Sequence, residues 1–411
     1  MKAKSVYSAF SRMPRNARII ILLQPLWAIP FNLVNSYASL YMLDQGISSS
    51  QVGLVNSVSF VFKTAVALMA GYIINKFGRK RTMGLIDIFG WALPMLVYFL
   101  AEDFWQFLAA ALINSITVIN SVTYQCFLTE DVDSDKRIET FKTFSVVSAV
   151  CGLFVPITGI LIGRYTLVPT VRWLYFIAFF SMASFGIFRL ILLKETSIGR
   201  QMIDQHTSGT YPLKSLIKLL IYFLQNKKLI ILFAMYIVLN FTQVINSLFF
   251  MPYLTRFGHF TEAVVSLFPF MTTIVSMIVF FLVIHRIRNK VRSILCSIAS
   301  FTAGTFILIV SPFIINYLAL LSVVFWALAF AIINPVLNTL IANEIADEFR
   351  VDVLGFFNML SMLCMFPVGY LGGMLFDISP LYLMVTVFIF GLASFCLLAF
   401  FYKRLHFSDN E

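Results

Sequence analysis

The chain is a succession of apolar runs, each about 20 residues or longer, separated by short breaks that hold nearly all of its charge. A helix crossing the hydrocarbon of a bilayer needs about 20 mostly apolar residues. Runs of that kind lie near 18–43, 51–74, 83–101, 104–128, 143–163 and 170–193, and again near 228–253, 263–284, 293–313, 316–342, 353–376 and 381–402. Charged residues make up 12% of the chain, against about a quarter in a soluble domain, and Phe alone contributes 45 residues. No water-soluble core could bury that surface. The expectation is an all-α membrane protein with twelve spans.

The formal net charge of +11 raises the prospect of nucleic-acid binding, but its placement argues otherwise. With the N-terminus in the cytoplasm, 25 of the 30 Lys and Arg residues fall in inner segments and three (Arg164, Arg172, Arg256) fall outside. Cations near span ends are retained in the cytoplasm, so topology accounts for the basic balance without nucleic acid. Both termini are then cytoplasmic, Trp105 and Trp173 sit at outer span ends, and short loops fit a cell (inner or plasma) membrane. The first run continues through Leu43 without a small-residue cleavage site and reads as a retained span. Five cysteines lie far apart inside apolar runs, and four histidines are scattered outside them. These spacings indicate no disulfide framework, no metal site, no cofactor and no catalytic cluster.

The two halves repeat one another. Asn35-Ser36 in "FNLVNSYASLYML" recurs as Asn246-Ser247 in "FTQVINSLFFMPYL", 211 positions on, with Asn32 over Gln243. The segment "TEDVDSDKRIE" (129–139) lies over "ANEIADEFRVD" (342–352) at an offset of 213, pairing Asp131 with Glu344 and Arg137 with Arg350. That offset also pairs Ser121 with Asn334, Gln125 with Asn338 and Gly159 with Gly372. Six spans repeated in one orientation form a parallel-repeat plan, which places a substrate site at the midplane between the halves. The domains expected are 1–193, a linker at 194–227, and 228–411. Within the linker, "LKSLIKLLIYFLQNKK" reads as a helix on the inner membrane surface or as a packed linker helix.

Between the second and third runs stands "GYIINKFGRKR" (71–81), with four cations among its last six residues. Gly71, Lys76, Gly78, Lys80 and Arg81, at this spacing and after the second span, resemble the signature of the major facilitator superfamily, and the likeness extends along essentially the whole chain. The resemblance implies two six-helix bundles and a cytoplasmic latch in which this turn's cations meet acids. Asn75 stands where the family usually has Asp. It can cap a helix end but lacks the charge that interacts with a helix N-terminus. Glu130 and Asp131 are the expected partners of Arg79 or Arg81, and Glu344 and Asp347 those of Arg286 or Arg288. The alternative is that these charges only enforce orientation. Glu130-x6-Arg137 also resembles a turn of the family's sugar porters. "GLFVPITGILIG" (152–163) partly resembles the Gly-Pro-rich helix of its drug/proton antiporters, with Val155 where that helix has glycine.

Polar groups inside spans generally face the bundle interior or a water-filled cavity. Asn32, Asn35, Ser36 and Ser39 share a helical face in the first span, and Asn114, Thr117, Ser121, Tyr124 and Gln125 form a stripe in the fourth. Asn240, Gln243 and Asn246 in the seventh span and Asn334 and Asn338 in the tenth extend the pattern. In the resembled fold these four helices line the central pathway. Interhelical hydrogen bonding is the competing use of each amide. Lys63 sits near the middle of its span, roughly 18 Å from either end, beyond easy reach of the interface. It binds an anionic group or a substrate oxygen, or else contacts a neighbouring helix. Asp87 is the acid well inside a span: it pairs with the basic turn or carries a coupling proton.

The combined expectation is a secondary transporter, active as a monomer, that moves a small organic solute by alternating access. Efflux of amphipathic compounds is preferred over sugar-like uptake, since Phe and Met abound and the sugar-porter match is confined to one turn. The rivals are a non-transporting receptor or scaffold, opposed by amide faces in both halves, and a channel, opposed by the lack of a charged ring or filter-like repeat.

Overall fold

The computed structural model describes residue 10 and residues 13–132, 134–204, 213–283, 287, 289–345 and 350–401. Eleven helical stretches are long and apolar enough to cross a membrane, and Pro380–Phe401 is a further apolar helix. No strand occurs among the described residues. The chain divides into two compact units, one comprising residues up to 47 and 58–211, the other 48–57 and 212–411.

In the first unit, α1 (Arg15–Asn35) breaks at Ser36–Tyr37 and continues as α2 (Ala38–Asp44). The break ends the common face expected for the first span, and Ser39 is buried beyond it. Helix α3 (Ser49–Phe77) is followed, after Gly78, by α4 (Arg79–Ile86), which runs into a π-helical segment, Asp87–Ala92, and then α5 (Leu93–Leu100). The fourth span comprises α6 (Phe104–Asn114), a 3-10 turn at Ser115–Thr117 and α7 (Val118–Thr129). The fifth is α8 (Ser134–Gly152) and α9 (Pro156–Tyr165), interrupted where Pro156 starts a new helix. A proline at the first helical position lacks only an N–H that would be unpaired anyway. Helix α10 (Leu167–Leu192) closes the unit.

Close packing of α4 on α10 is set by two glycines. A Cβ on Gly84 would stand 2.3 Å from Leu190 Cγ, and one on Gly186 would stand 2.7 Å from Ile88 and 3.1 Å from the Asp87 Cβ. This approach brings Asp87 within reach of α10. At the opposite end of the unit, Arg172 ties three elements together, donating to Tyr41 Oη (3.3 Å), Gln45 Oε1 (3.4 Å) and Glu102 Oε1 (3.4 Å).

The second unit comprises residues 48–57 and the helices after residue 212. Helix α11 (Ser197–Asp204) belongs with the first unit, whereas α12 (Leu213–Gln225) packs Leu219 and Phe223 into the second unit's main core. Leu220, Ile221 and Leu224 of α12 remain exposed. The spans that follow are α13 (Lys227–Arg256), α14 (Leu267–Leu282), α15 (Lys290–Ile314), α16 (Leu318–Glu344), α17 (Arg350–Ile378) and α18 (Pro380–Phe401). Trp326 anchors the α15–α16 pair, donating its Nε1 to Thr305 Oγ1 at 3.0 Å and lying over Phe301 at 5.7 Å.

Residues 48–57 group with the second unit although α3 continues in the first. Their bonds explain this. Ser49 and Ser50 each donate a backbone N–H to the Asp377 carboxylate at 2.9 Å, so Asp377 neutralises the N-terminal end of α3. Ser57 Oγ accepts from the Tyr370 N–H at 3.0 Å, and a Cβ on Gly53 would stand 1.9 Å from the Gly369 carbonyl oxygen.

Candidate functional site

The basic turn is held by a carboxylate that lies far away in sequence. Gly78 takes φ +82°, a backbone conformation open to glycine, and so turns the chain sharply between α3 and α4. The first N–H groups of α4 then lack helical partners. Glu195 supplies them: its Oε1 accepts from Arg79 N (2.9 Å) and its Oε2 from Lys80 N (3.0 Å). A Cβ on Gly78 would stand 2.5 Å from Glu195 Oε2, so this cap also requires glycine there.

The Arg79 side chain is buried and fully engaged. Its Nε and Nη2 donate to Glu130 Oε1 (3.3 and 3.2 Å), and its Nη1 donates to Asn75 Oδ1 (3.2 Å). Thr196 Oγ1 donates to the other Glu130 oxygen. The structure therefore brings Arg79 and Glu130 together. Asp131 differs from expectation: it accepts from the Ser197 hydroxyl at 2.8 Å, because Ser197 opens α11 beside it. Lys76 packs against Tyr72 and Phe77, and Arg137 donates to the Val132 carbonyl at 3.2 Å while staying exposed. Gly71 lies half-buried in α3, and Lys80 is half-buried with Arg81 exposed. In the second unit Glu344 stands 3.9 Å from Lys228. Arg286, Arg288 and Asp347 lie outside the described residues, as does the Arg350 side chain.

Asp87 does not pair with the basic turn. Its Oδ2 accepts from Arg189 Nη1 at 3.0 Å, and its Oδ1 from Asn120 Nδ2 at 2.7 Å, with both charged side chains almost wholly buried. Arg79 of the turn is committed to Glu130, and the close glycine contacts with α10 bring Asp87 to Arg189 instead. The Arg189 guanidinium also lies over the Phe185 ring at 3.8 Å. Asp87 begins the π-helical segment, a feature frequent at functional sites. Asn114, one of the expected pathway residues, donates to the Gly90 carbonyl in that segment at 2.9 Å, a packing role. The cluster borders a cavity of about 290 Å³ between α1, the π segment, the fourth and fifth spans and α10, with Trp27, Trp91, Tyr124 and Phe144 among its walls.

The remaining pathway residues divide by unit. In the first, Asn35, Ser121 and Gln125 are exposed, while Asn32 and Ser36 are partly buried and bond along their own helix. Lys63 is half-buried with its ammonium over Phe60 at 5.6 Å, and no ion pair to it is found among the described residues. In the second unit Asn334 and Asn338 are exposed, Gln243 Nε2 donates to Asn334 Oδ1 at 3.0 Å, and Asn246 is partly buried.

The model of the Major Facilitator Superfamily matches residues 26–369. The chain belongs to this family. Within the superfamily it is 28% identical over 120 residues to the uncharacterized MFS-type transporter YqjV of Bacillus subtilis, covering 29% of each chain. It is 27% identical over 187 residues to the multidrug resistance protein MdtG of Yersinia enterocolitica, covering 42% of this chain and 44% of that one. The alignments thus span less than half the length of these curated relatives. The fold resembles a crystal structure of a point mutant of nucleoside transporter NupG, with a TM-score of 0.75 at 15% identity over 96% of this chain and 100% of that one.

Glu195, Arg189, Asn120 and Trp27 were not among the expected site residues. Arg189 had a signal: it is one of two cations that the inner and outer charge tallies leave inside a span, the other being Lys63. Glu195 had none, since an acid after the sixth span reads as an ordinary loop charge.

Proposed function

We propose that this superfamily member is a secondary active transporter that moves a small organic solute by alternating access and exports amphipathic compounds. The observation that carries the reading is that Asn35, Ser121 and Gln125 in one unit, and Asn334 and Asn338 in the other, stay exposed inside otherwise apolar spans. A polar side chain turned to lipid is costly, and one that borders a water-filled path is not. Amides both donate and accept, which suits a neutral or amphipathic solute. The partial likeness to a multidrug resistance protein supports export. Uptake of a polar metabolite is the second reading, favoured by the likeness to a nucleoside transporter.

The remaining parts follow from the same reading. Residues 1–193 and 228–411 act as the two moving bundles, joined by 194–227, in a monomer of the cell membrane with cytoplasmic termini. The basic turn with Glu130, Asp131 and Arg137, and Glu344 with Arg350 in the second half, form the latch. Lys63 contacts a substrate oxygen, and Asp87 is the site for a coupling proton, with Arg189 as its counter-charge.

Flux in reconstituted proteoliposomes tests this. A lipophilic fluorescent dye is expected to move only when a pH gradient is imposed, and Asp87→Asn is expected to remove that dependence. Movement of nucleosides or pentoses in place of dye would establish the uptake reading. Absence of any solute flux from a folded preparation would contradict transport.

A further inference from the structure

Helix α12 (Leu213–Gln225) has three faces where the surface helix of a soluble domain has two, one apolar and one polar. By the 3.6-residue period, Leu216, Leu219 and Phe223 share one face, and Leu219 and Phe223 are buried in the second unit's main core. Phe223 meets Phe233 of α13 at 5.2 Å and Phe357 of α17 at 6.4 Å, in both cases edge to face. Leu213, Ile217, Leu220, Ile221 and Leu224 fall on a second face, where Leu220, Ile221 and Leu224 are exposed. Lys214, Lys218 and Gln225 make up the third.

The second apolar face is held at the level of a span end. One residue, Asn226, separates α12 from the apolar span α13, and its Oδ1 caps that span by accepting from Leu229 N at 3.1 Å. Lys227, the first residue of the span, is exposed. In water the three aliphatic side chains would stay hydrated, which is unfavourable. A protein partner fits poorly, because lysine is depleted at protein interfaces and here flanks the face. A bilayer surface matches both features: an interfacial helix sinks its aliphatic face to the acyl boundary and sets its lysines among the headgroups.

We propose that α12 is a binding surface for anionic phospholipid of the bilayer that holds the protein, with Leu220, Ile221 and Leu224 at the acyl boundary and Lys214, Lys218 and Lys227 attracting the phosphates. One lysine near an anionic membrane surface enriches such lipid about 5-fold. With cytoplasmic termini the leaflet engaged is the inner one, whose surface is negative. This binding is independent of whether the protein carries a solute.

The full-length protein, cleared of its five native cysteines, carries a bimane fluorophore on Leu224→Cys, the most exposed of the three positions at 58%. It is reconstituted in phosphatidylcholine bilayers with spin-labelled phosphatidylglycerol or spin-labelled phosphatidylcholine as quencher. Both lipids are expected to quench, phosphatidylglycerol at a mole fraction about 5- to 25-fold lower. Lys214→Gln combined with Lys218→Gln is expected to reduce that preference about 5-fold or more and to leave quenching by phosphatidylcholine unchanged. A label on Gln225→Cys, exposed on the third face, is expected to be quenched by aqueous iodide instead. Ile221→Cys repeats the reading on the same apolar face if Leu224→Cys does not fold. Equal quenching by the two lipids, or a preference that survives loss of both lysines, would overturn the proposal. Quenching at Leu224→Cys by iodide alone would place the face in water. Shielding from all three quenchers would mean that another part of the chain or a second copy covers it, and either result overturns the proposal as well.

Discussion

Replacing Glu195 tests the structural core of the turn between α3 and α4. Both its carboxylate oxygens accept backbone N–H bonds, 2.9 Å from Arg79 and 3.0 Å from Lys80, at the start of a helix whose N-cap residue, Gly78, has no side chain. Loss of a side-chain cap costs about 0.5–2 kcal/mol. Loss of a negative charge at a helix N-terminus costs about 0.3–1 kcal/mol, and up to about 2 in partly buried geometry. Glu195→Ala removes both and is expected to destabilise the protein by about 2–3 kcal/mol. Glu195→Gln retains an acceptor and loses the charge, for about 1 kcal/mol. Unfolding of the purified protein in an SDS titration measures the two values side by side. Equal stability of Glu195→Ala and the parent would refute the cap. Equal losses in both variants would assign the effect to charge alone and remove the hydrogen-bond account.

Three further variants probe the turn and the Asp87–Arg189 pair. Gly78→Ala puts a Cβ where φ is +82° and where Glu195 Oε2 would lie 2.5 Å away, so it is expected to lower stability by about 1–3 kcal/mol, read in the same titration. Asp87→Asn leaves the Arg189 charge buried without a counter-ion, at a cost of about 3–5 kcal/mol, whereas Asp87→Leu combined with Arg189→Met is expected to recover most of that loss. Recovery of stability without recovery of pH-driven flux separates the pair's chemical role from its packing role.

Helix number and the presence of the basic turn were legible because apolar length and charge placement act locally and leave a direct trace in composition. The Arg79–Glu130 contact was also within reach, since a cation and an acid at the same end of adjacent spans have few other partners. Asp87's partner was not. Choosing Arg189 over the basic turn depends on how tightly α4 lies on α10, and that is decided by Gly84 and Gly186, whose missing side chains carry no charge signal. The break of the first span at Ser36–Tyr37 was hidden for a related reason, because a turn within an apolar run leaves hydropathy unchanged. Grouping of 48–57 with the second unit rests on Asp377 and on backbone contact at Gly53 and Gly369, residues more than 300 positions apart in the chain.

Single cysteines at Gln125 and Asn338, in a background cleared of the five native cysteines, test the water-filled path most directly. Both positions are expected to react with a membrane-impermeant maleimide, and the side from which they react is expected to change when a transported solute is bound. A cysteine at Ile160, 72% exposed on an apolar face, is expected to react only with a lipid-soluble maleimide. If Gln125 and Asn338 behave as Ile160 does, the amide faces meet lipid and the alternating-access account fails.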